Sequence, residues 1–116
     1  MKTDPTCIFC KIVAGQIPSR KVFEDEEFLA FHDIAPWAPV HFLIIPKTHI
    51  DSLAETSLAT DQPLLGKLLA LAPHLALEQG ITNGFRTIVN TGADGGQEVP
   101  HLHVHVIGGP RPWAKG

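Results

Sequence analysis

The chain has 116 residues, 44% apolar and 18% charged, with a formal net charge of -3. Such a length and balance describe one compact domain with a core of ordinary size, not a disordered chain and not two domains. The acidic surplus and the lack of any Lys/Arg-rich run argue against a nucleic-acid polymer as partner, although backbone amides and histidines can still hold a single phosphate.

The opening Met1-Lys-Thr-Asp-Pro carries no apolar core of a signal peptide, and no segment has the apolar length needed to span a bilayer. A cytoplasmic location without a membrane partner is the expectation. Cys7 to Val13 reads as a short helix ended by Gly15, and Pro18 then forces an extended exit. Two cysteines three apart, in a reducing compartment, suggest a metal or redox role before a structural disulfide. A thioredoxin-like redox pair fits poorly, because no strand precedes it in a βαβ pattern.

Lys21 to Glu24 and Glu27 to Phe31 read as two strands around the acidic turn Asp25-Glu26, arranged as a hairpin. Val40-His-Phe-Leu-Ile-Ile, stopped by Pro46, reads as a buried central strand. Its single polar member, His41, therefore needs an explanation, either as a satisfied buried group or as part of a site. Thr60 is the expected N-cap of the longest helix, which tolerates Pro63 in its first turn and ends at Gly80. Leu64, Leu68, Leu71 and Leu75 follow the spacing of a core-facing stripe, while Pro73 predicts a kink or an earlier stop. His74, on the same helix, reads as a surface residue. Phe85 to Asn90 is a further strand, followed by the glycine-rich loop from Thr91 to Val99. That loop fits an ordinary turn between strands as well as an amide cradle for an anion.

The last strand is the most informative. Three of the seven histidines fall within five residues in His101-Leu-His-Val-His-Val. On a strand rising about 3.3 Å per residue, His101, His103 and His105 share one face and stand about 7 Å apart. An imidazole array beside an amide-rich loop suits a phosphoryl centre. With few helical crossovers, the order of elements predicts an α+β fold with a mainly antiparallel sheet.

His101-Leu-His-Val-His-Val-Ile resembles the histidine triad motif, three histidines each followed by an apolar residue. The resemblance extends to Cys-Ile-Phe-Cys-Lys-Ile near the start, Phe-Leu-Ala-Phe-His-Asp-Ile at 28 to 34, His-Phe-Leu-Ile-Ile-Pro-Lys-Thr-His-Ile at 41 to 50 and Gly-Gly-Gln-Glu-Val-Pro-His at 95 to 101. It covers nearly the whole chain, in order, and is closest to the nucleotide-binding Hint branch. The resemblance implies a single domain over residues 1 to 116, with a five-stranded sheet, one long helix and one or two short ones. It further implies a homodimer that binds purine nucleoside monophosphates and hydrolyses their phosphoramidates.

By the same resemblance, His103 is the nucleophile that forms a nucleotidyl-histidine, His105 handles the phosphate oxygens, and His41 orients the array. Asp33 is expected on the ribose hydroxyls, which one ionised carboxylate can bind together. Ile34, Phe31, His32, Ile8, Phe9 and Ile17 are expected around the base, several of them equally readable as core. Asn90, Gly96, Gln97, Glu98 and Val99 are expected near the phosphate or leaving group. Glu98 replaces the Ser or Thr common there, and Pro100 the usual aromatic. Trp113 is expected either to reach a partner subunit's site or to pack on its own subunit. Some bacterial relatives bind zinc through positions matching Cys7, Cys10, His49 and His101, a closed tetrahedral structural set. No catalytic metal or organic cofactor is expected. The rival readings are a three-histidine metalloenzyme, a dinucleoside polyphosphate hydrolase and a nucleotide-binding regulatory module with weak hydrolysis.

Overall fold

A computed structural model describes residues 1–116. The α+β expectation holds: five strands form one antiparallel sheet in the order β1-β2-β3-β5-β4. They are β1 (Lys21–Glu24), β2 (Phe28–His32), β3 (Val40–Pro46), β4 (Phe85–Ile88) and β5 (Val104–Gly108). Two α-helices, α1 (Ile8–Val13) and α2 (Gln62–Glu78), and a 3-10 turn at Leu53–Glu55 complete the chain. No helix is long and apolar enough to cross a membrane.

The hairpin turn between β1 and β2 is closed by Asp25, whose carboxylate accepts from the backbone N–H groups of Glu27 and Phe28 at 2.8 and 2.7 Å. Those two bonds make Glu27 part of the turn, so β2 begins at Phe28 rather than Glu27. Lys67 of α2 reaches the same turn, bridging Asp25 and Glu27.

The period-two alternation of strands gives the sheet two chemically different faces. Phe28, Ala30, Phe42, Ile44, Leu102, Val104 and Val106 pack with Leu68, Ala72, Leu75 and Ala76 of α2 in one cluster. The opposite face holds Leu29, Phe31, Leu43 and Ile45 against Cys7, Phe9 and Cys10. The central strand β3 is thus buried on both sides, and its apolar run stabilises the fold by about 1.5–3 kcal/mol per large side chain.

Three expectations about α2 and its neighbours are corrected. The N-cap position is Asp61, not Thr60, and its carboxylate caps nothing in α2 because it accepts from the Ser57 N–H at 2.6 Å. Pro73 does not stop the helix, which runs on to Glu78. Pro73 is exposed, as is Leu69 one turn earlier, so the carbonyl left without its helical partner belongs to a solvent-facing position. The stripe itself holds: Leu68 and Leu75 are fully buried, with Leu64 and Leu71 packed at the margin. β4 ends at Ile88, two residues short of Asn90.

The histidine strand is also shorter than expected. β5 starts at Val104, so His101 and His103 precede the ladder. The His101 N–H bonds the Val99 carbonyl and the Leu102 N–H the Ile50 carbonyl, beyond the end of β3, in place of ladder bonds to it. All three imidazoles nevertheless keep to the α1 face, and Phe9 lies edge-on to His101 and His103 at 5.9 and 5.2 Å.

Candidate functional site

Two clusters of imidazoles meet along the segment 101–105. The first lies under α1. The Cys7 sulfur sits at the N-cap and accepts from the Cys10 N–H at 3.3 Å, so one helical turn brings both thiols together. The His49 N–H donates to the Lys2 carbonyl and the Leu102 N–H to the Ile50 carbonyl, and this pair of bonds lays His49 beside His101. Nδ1 of His101 lies 3.3 Å from the Cys7 sulfur and 3.6 Å from that of Cys10. Nδ1 of His49 lies 3.3 Å from the Cys10 sulfur and 3.2 Å from Nδ1 of His101.

All four residues are buried. A tetrahedral ion with bonds of about 2.0–2.3 Å sets its ligand atoms about 3.3–3.8 Å apart, close to these separations. The far nitrogens are already engaged, as metal-bound imidazoles require: His49 Nε2 donates to Asp51 at 2.6 Å and His101 Nε2 to the Pro46 carbonyl at 2.8 Å. Burial pushes the Cys10 thiol up, and Cys7 adds to the shift, so a thiolate pair here calls for a cation. The cluster can hold a metal ion, with four protein ligands and no vacant position.

The second cluster opens onto a cleft of about 560 Å³. It is built on β3, β5 and the turn before β3. The Trp37 N–H donates to His41 Nδ1 at 3.1 Å. The His41 proton must therefore sit on Nε2, which donates to His105 Nδ1 at 2.9 Å. His105 in turn carries its proton on Nε2. One backbone amide thus sets the tautomers of two rings. On His103, Nδ1 donates to the His101 carbonyl at 2.7 Å, which leaves Nε2 as the basic nitrogen. No buried side-chain nitrogen lacks a partner, so Nε2 of His103 and of His105, which bond nothing in the protein, open onto the cleft.

Burial holds all three rings of this cluster below the ordinary imidazole range, His105 to about 4. They are neutral at neutral pH: one presents a lone pair, the other a proton. Trp37 stacks on His105 at 4.5 Å and 22°, fixing the ring plane. The three triad imidazoles do not converge on a point, since His101 faces the thiols and His103 faces a carbonyl.

Around these rings the cleft is lined by Phe9, Asp33, Asn90, Gly96, Glu98 and Val99, which the structure brings together. Asp33 accepts from the Ala35 N–H and lies 3.5 Å from His41 Nε2. Other expected residues stand elsewhere. Gln97 turns away to brace the loop, accepting from the Gly92 N–H and donating to the carbonyls of Asp51 and Val99. Phe31 is buried behind Phe9, edge-on at 5.5 Å. Ile34 is fully exposed, Ile8 is 47% exposed, and Ile17 is half-buried outside the lining. His32 opens into a different hollow beside Arg20. Trp113 packs on its own subunit, with its indole N–H on the Gly109 carbonyl and the Arg111 guanidinium 3.7 Å from its ring.

The sequence reading missed Trp37, Ile88, Gly95 and Lys115, all in the lining. Gly95 had the clearest signal: a Cβ there would collide with the Thr91 carbonyl, so the loop folds this tightly only with glycine. Trp37, between Pro36 and Pro39, had only its isolation as a clue.

The HIT domain family model matches residues 14–111. The chain is 54% identical over 104 residues to Protein HitA of Neisseria gonorrhoeae, covering 90% of this chain and 96% of that protein. It is 47% identical over 109 residues to Adenylylsulfatase HINT1 of Arabidopsis thaliana, covering 92% and 74%. Among solved structures, a HIT family hydrolase from Legionella pneumophila Philadelphia 1 superposes with a TM-score of 0.87 at 46% identity, covering 91% and 95%. The family match starts just past α1 and contains the whole sheet and every histidine of both clusters, so the chain belongs to the HIT domain family.

Proposed function

We propose that this chain hydrolyses purine nucleoside 5′-phosphoramidates, AMP joined to an amine, through a covalent intermediate on His103. The observation that carries the reading is the pair of fixed tautomers: a basic Nε2 on His103 beside a protonated Nε2 on His105, both open to one cleft. His103 Nε2 attacks phosphorus and forms a new P–N bond while the substrate's P–N bond breaks; the electron pair leaves with the substrate nitrogen, which departs as an amine on taking a proton from solvent. Water then attacks the nucleotidyl-histidine at phosphorus and breaks its P–N bond, releasing the nucleoside monophosphate, returning a proton to solvent and restoring neutral imidazole. His105 and the loop amides near Gly96 donate to the phosphoryl oxygens as negative charge builds. Asp33 takes the ribose, Phe9 contributes to the base side, and Asn90 contacts the phosphate.

The HIT family hydrolase from Legionella pneumophila Philadelphia 1 and the Arabidopsis adenylylsulfatase support hydrolysis, and the latter supports an adenylyl group. Zinc is the ion proposed for Cys7, Cys10, His49 and His101, since two thiolates with two imidazoles suit it in a structural role. The reading includes a cytoplasmic homodimer. The free edge of β4, with Phe85 37% exposed, and the exposed Leu69 and Leu77 of α2 support a second copy as partner.

Mass spectrometry after rapid quench with adenosine 5′-phosphoramidate tests the mechanism. A peptide carrying AMP on His103 is expected, with turnover reduced about 10⁴-fold or more in His103→Ala. Turnover that survives this substitution overturns the covalent route.

A further inference from the structure

The catalytic cleft has an uneven charge. Its lining contains two carboxylates, Asp33 and Glu98, yet a phosphoryl substrate brings negative charge of its own. Only one lysine or arginine lines it, Lys115. The ion pairs of the surface engage Lys21, Lys47 and Lys67, and Lys115 takes part in none.

Its position is set by the fold. The Lys115 N–H donates to the Trp37 carbonyl at 3.0 Å, and its ammonium lies 5.1 Å from the centroid of the Trp37 ring. The same indole stacks on His105. Arg86 of β4 bonds the Gly116 carbonyl and so fastens the segment one residue further on. A cation therefore stands beside the ring expected to handle phosphate, on a backbone anchored at two points. Because no carboxylate neutralises it, its field is available to a ligand.

We infer that Lys115 is a substrate-contacting residue that binds the phosphoryl oxygens in the cleft and makes the site discriminate a nucleoside monophosphate from the bare nucleoside. The inference rests on the reading of this cleft as a nucleotide site. It assigns to Lys115 the compensation of the negative charge that the substrate brings into a lining already holding two carboxylates, while His105 supplies a directed hydrogen bond.

Calorimetric titration of the full chain with AMP and with adenosine tests both levels, because binding is read without turnover. Lys115→Met keeps the backbone bond to Trp37 and most of the aliphatic stem, and Lys115→Arg keeps the charge. The expected result is AMP affinity about three- to tenfold weaker in Lys115→Met, near wild type in Lys115→Arg, with adenosine affinity the same in all three. Unchanged AMP binding in Lys115→Met overturns the assignment, as does an equal loss for AMP and adenosine, which would mark a packing role for the segment. A wild-type chain that binds AMP no better than adenosine overturns the assignment too, and a wild-type chain that binds neither overturns the nucleotide reading beneath it.

Discussion

His101 and His103 are two residues apart, both buried, both on the α1 face of the sheet, and both in contact with Phe9, yet their ring nitrogens meet different partners. His101 has each ring nitrogen committed, one to the thiols and His49, the other to the Pro46 carbonyl. His103 has one nitrogen committed, to the His101 carbonyl, and the other open to the cleft. An imidazole becomes a ligand or a nucleophile according to what its second nitrogen meets, and the alternation of the segment says nothing about that. The two halves are also joined, because the main chain of His101 holds the tautomer of His103 while its ring belongs to the metal cluster.

The contrast can be broken from either side. Apart from loss of turnover in His103→Ala, the largest effect is expected from Cys7→Ala. Elemental analysis should find stoichiometric zinc in the wild-type chain and none in the variant, and thermal unfolding should come at a clearly lower temperature, since metal affinity here is folding stability. Zinc absent from wild-type protein purified without chelators would reduce the closed half to two thiols and two hydrogen-bonded histidines.

His41→Leu addresses the open half. Without His41 Nε2–H, nothing sets the His105 tautomer, and kcat is expected to fall on the order of 10²-fold. His41→Gln can accept from Trp37 and donate to His105, so it should recover much of the loss, whereas equal loss in both variants would show that ring packing against Trp37 matters more than the relay.

A smaller effect is expected at Asp51, which holds His49 from outside the cluster at 2.6 Å. Asp51→Asn should weaken zinc binding about 10- to 100-fold in competition with a chromogenic chelator. Because the Asp51 main chain also receives Gln97, and that bond is untouched by the substitution, the phosphate loop should keep its shape and AMP affinity should hold. A parallel fall in AMP binding would mean that the two halves are less separable than their geometry indicates.

The smallest effect concerns acid. His105 has its folded value held near 4 by burial, with His103, His41 and Lys115 adding to the shift and Asp33 opposing it. Below the free imidazole value of about 6.5 the unfolded chain takes up protons that the folded chain refuses. Stability should therefore be level above about pH 7, fall as pH drops from about 6.5 to 4, and level off again for this group below that. Glu24, held at about 2 by Lys21 and Lys47, has the same sign of dependence but loses its share only below 4.5. Denaturant midpoints from pH 7.5 to 4.5 thus isolate the histidine contribution, and His105→Asn should flatten the slope.

Much of this contrast was legible in the chain. The apolar run of β3, the leucine stripe of α2 and the glycine loop are local patterns with local causes. The Cys7-Cys10 spacing matches one helical turn, and the His101-His103-His105 spacing matches one strand face. Trp37 and Lys115 were not legible, because Trp37 stands 78 positions before Lys115 and 68 before His105, and its contact with both exists only in the fold. Gln97 looked like a phosphate contact by its place in the loop, but three backbone partners claimed its amide first. The family resemblance put Ile34, His32 and Ile8 in one pocket with Phe9, whereas in the structure Ile34 is fully exposed, Ile8 is 47% exposed and His32 opens into a separate hollow.

The sequence by itself determined the elements, the two-faced sheet and the residue types available for chemistry, since periodicity, capping and glycine placement act over a few residues. Only the tertiary structure decided which nitrogen of each histidine is free. That choice depends on a carbonyl from Pro46, a backbone amide from Trp37 and a carboxylate from Asp51, partners that no spacing along the segment 101–105 encodes. Hydrogen bonds at fixed distance and direction are made between whatever the packed sheet brings together, and here they divide one run of histidines into a closed cluster with two thiols, able to hold a metal, and a face open to the cleft.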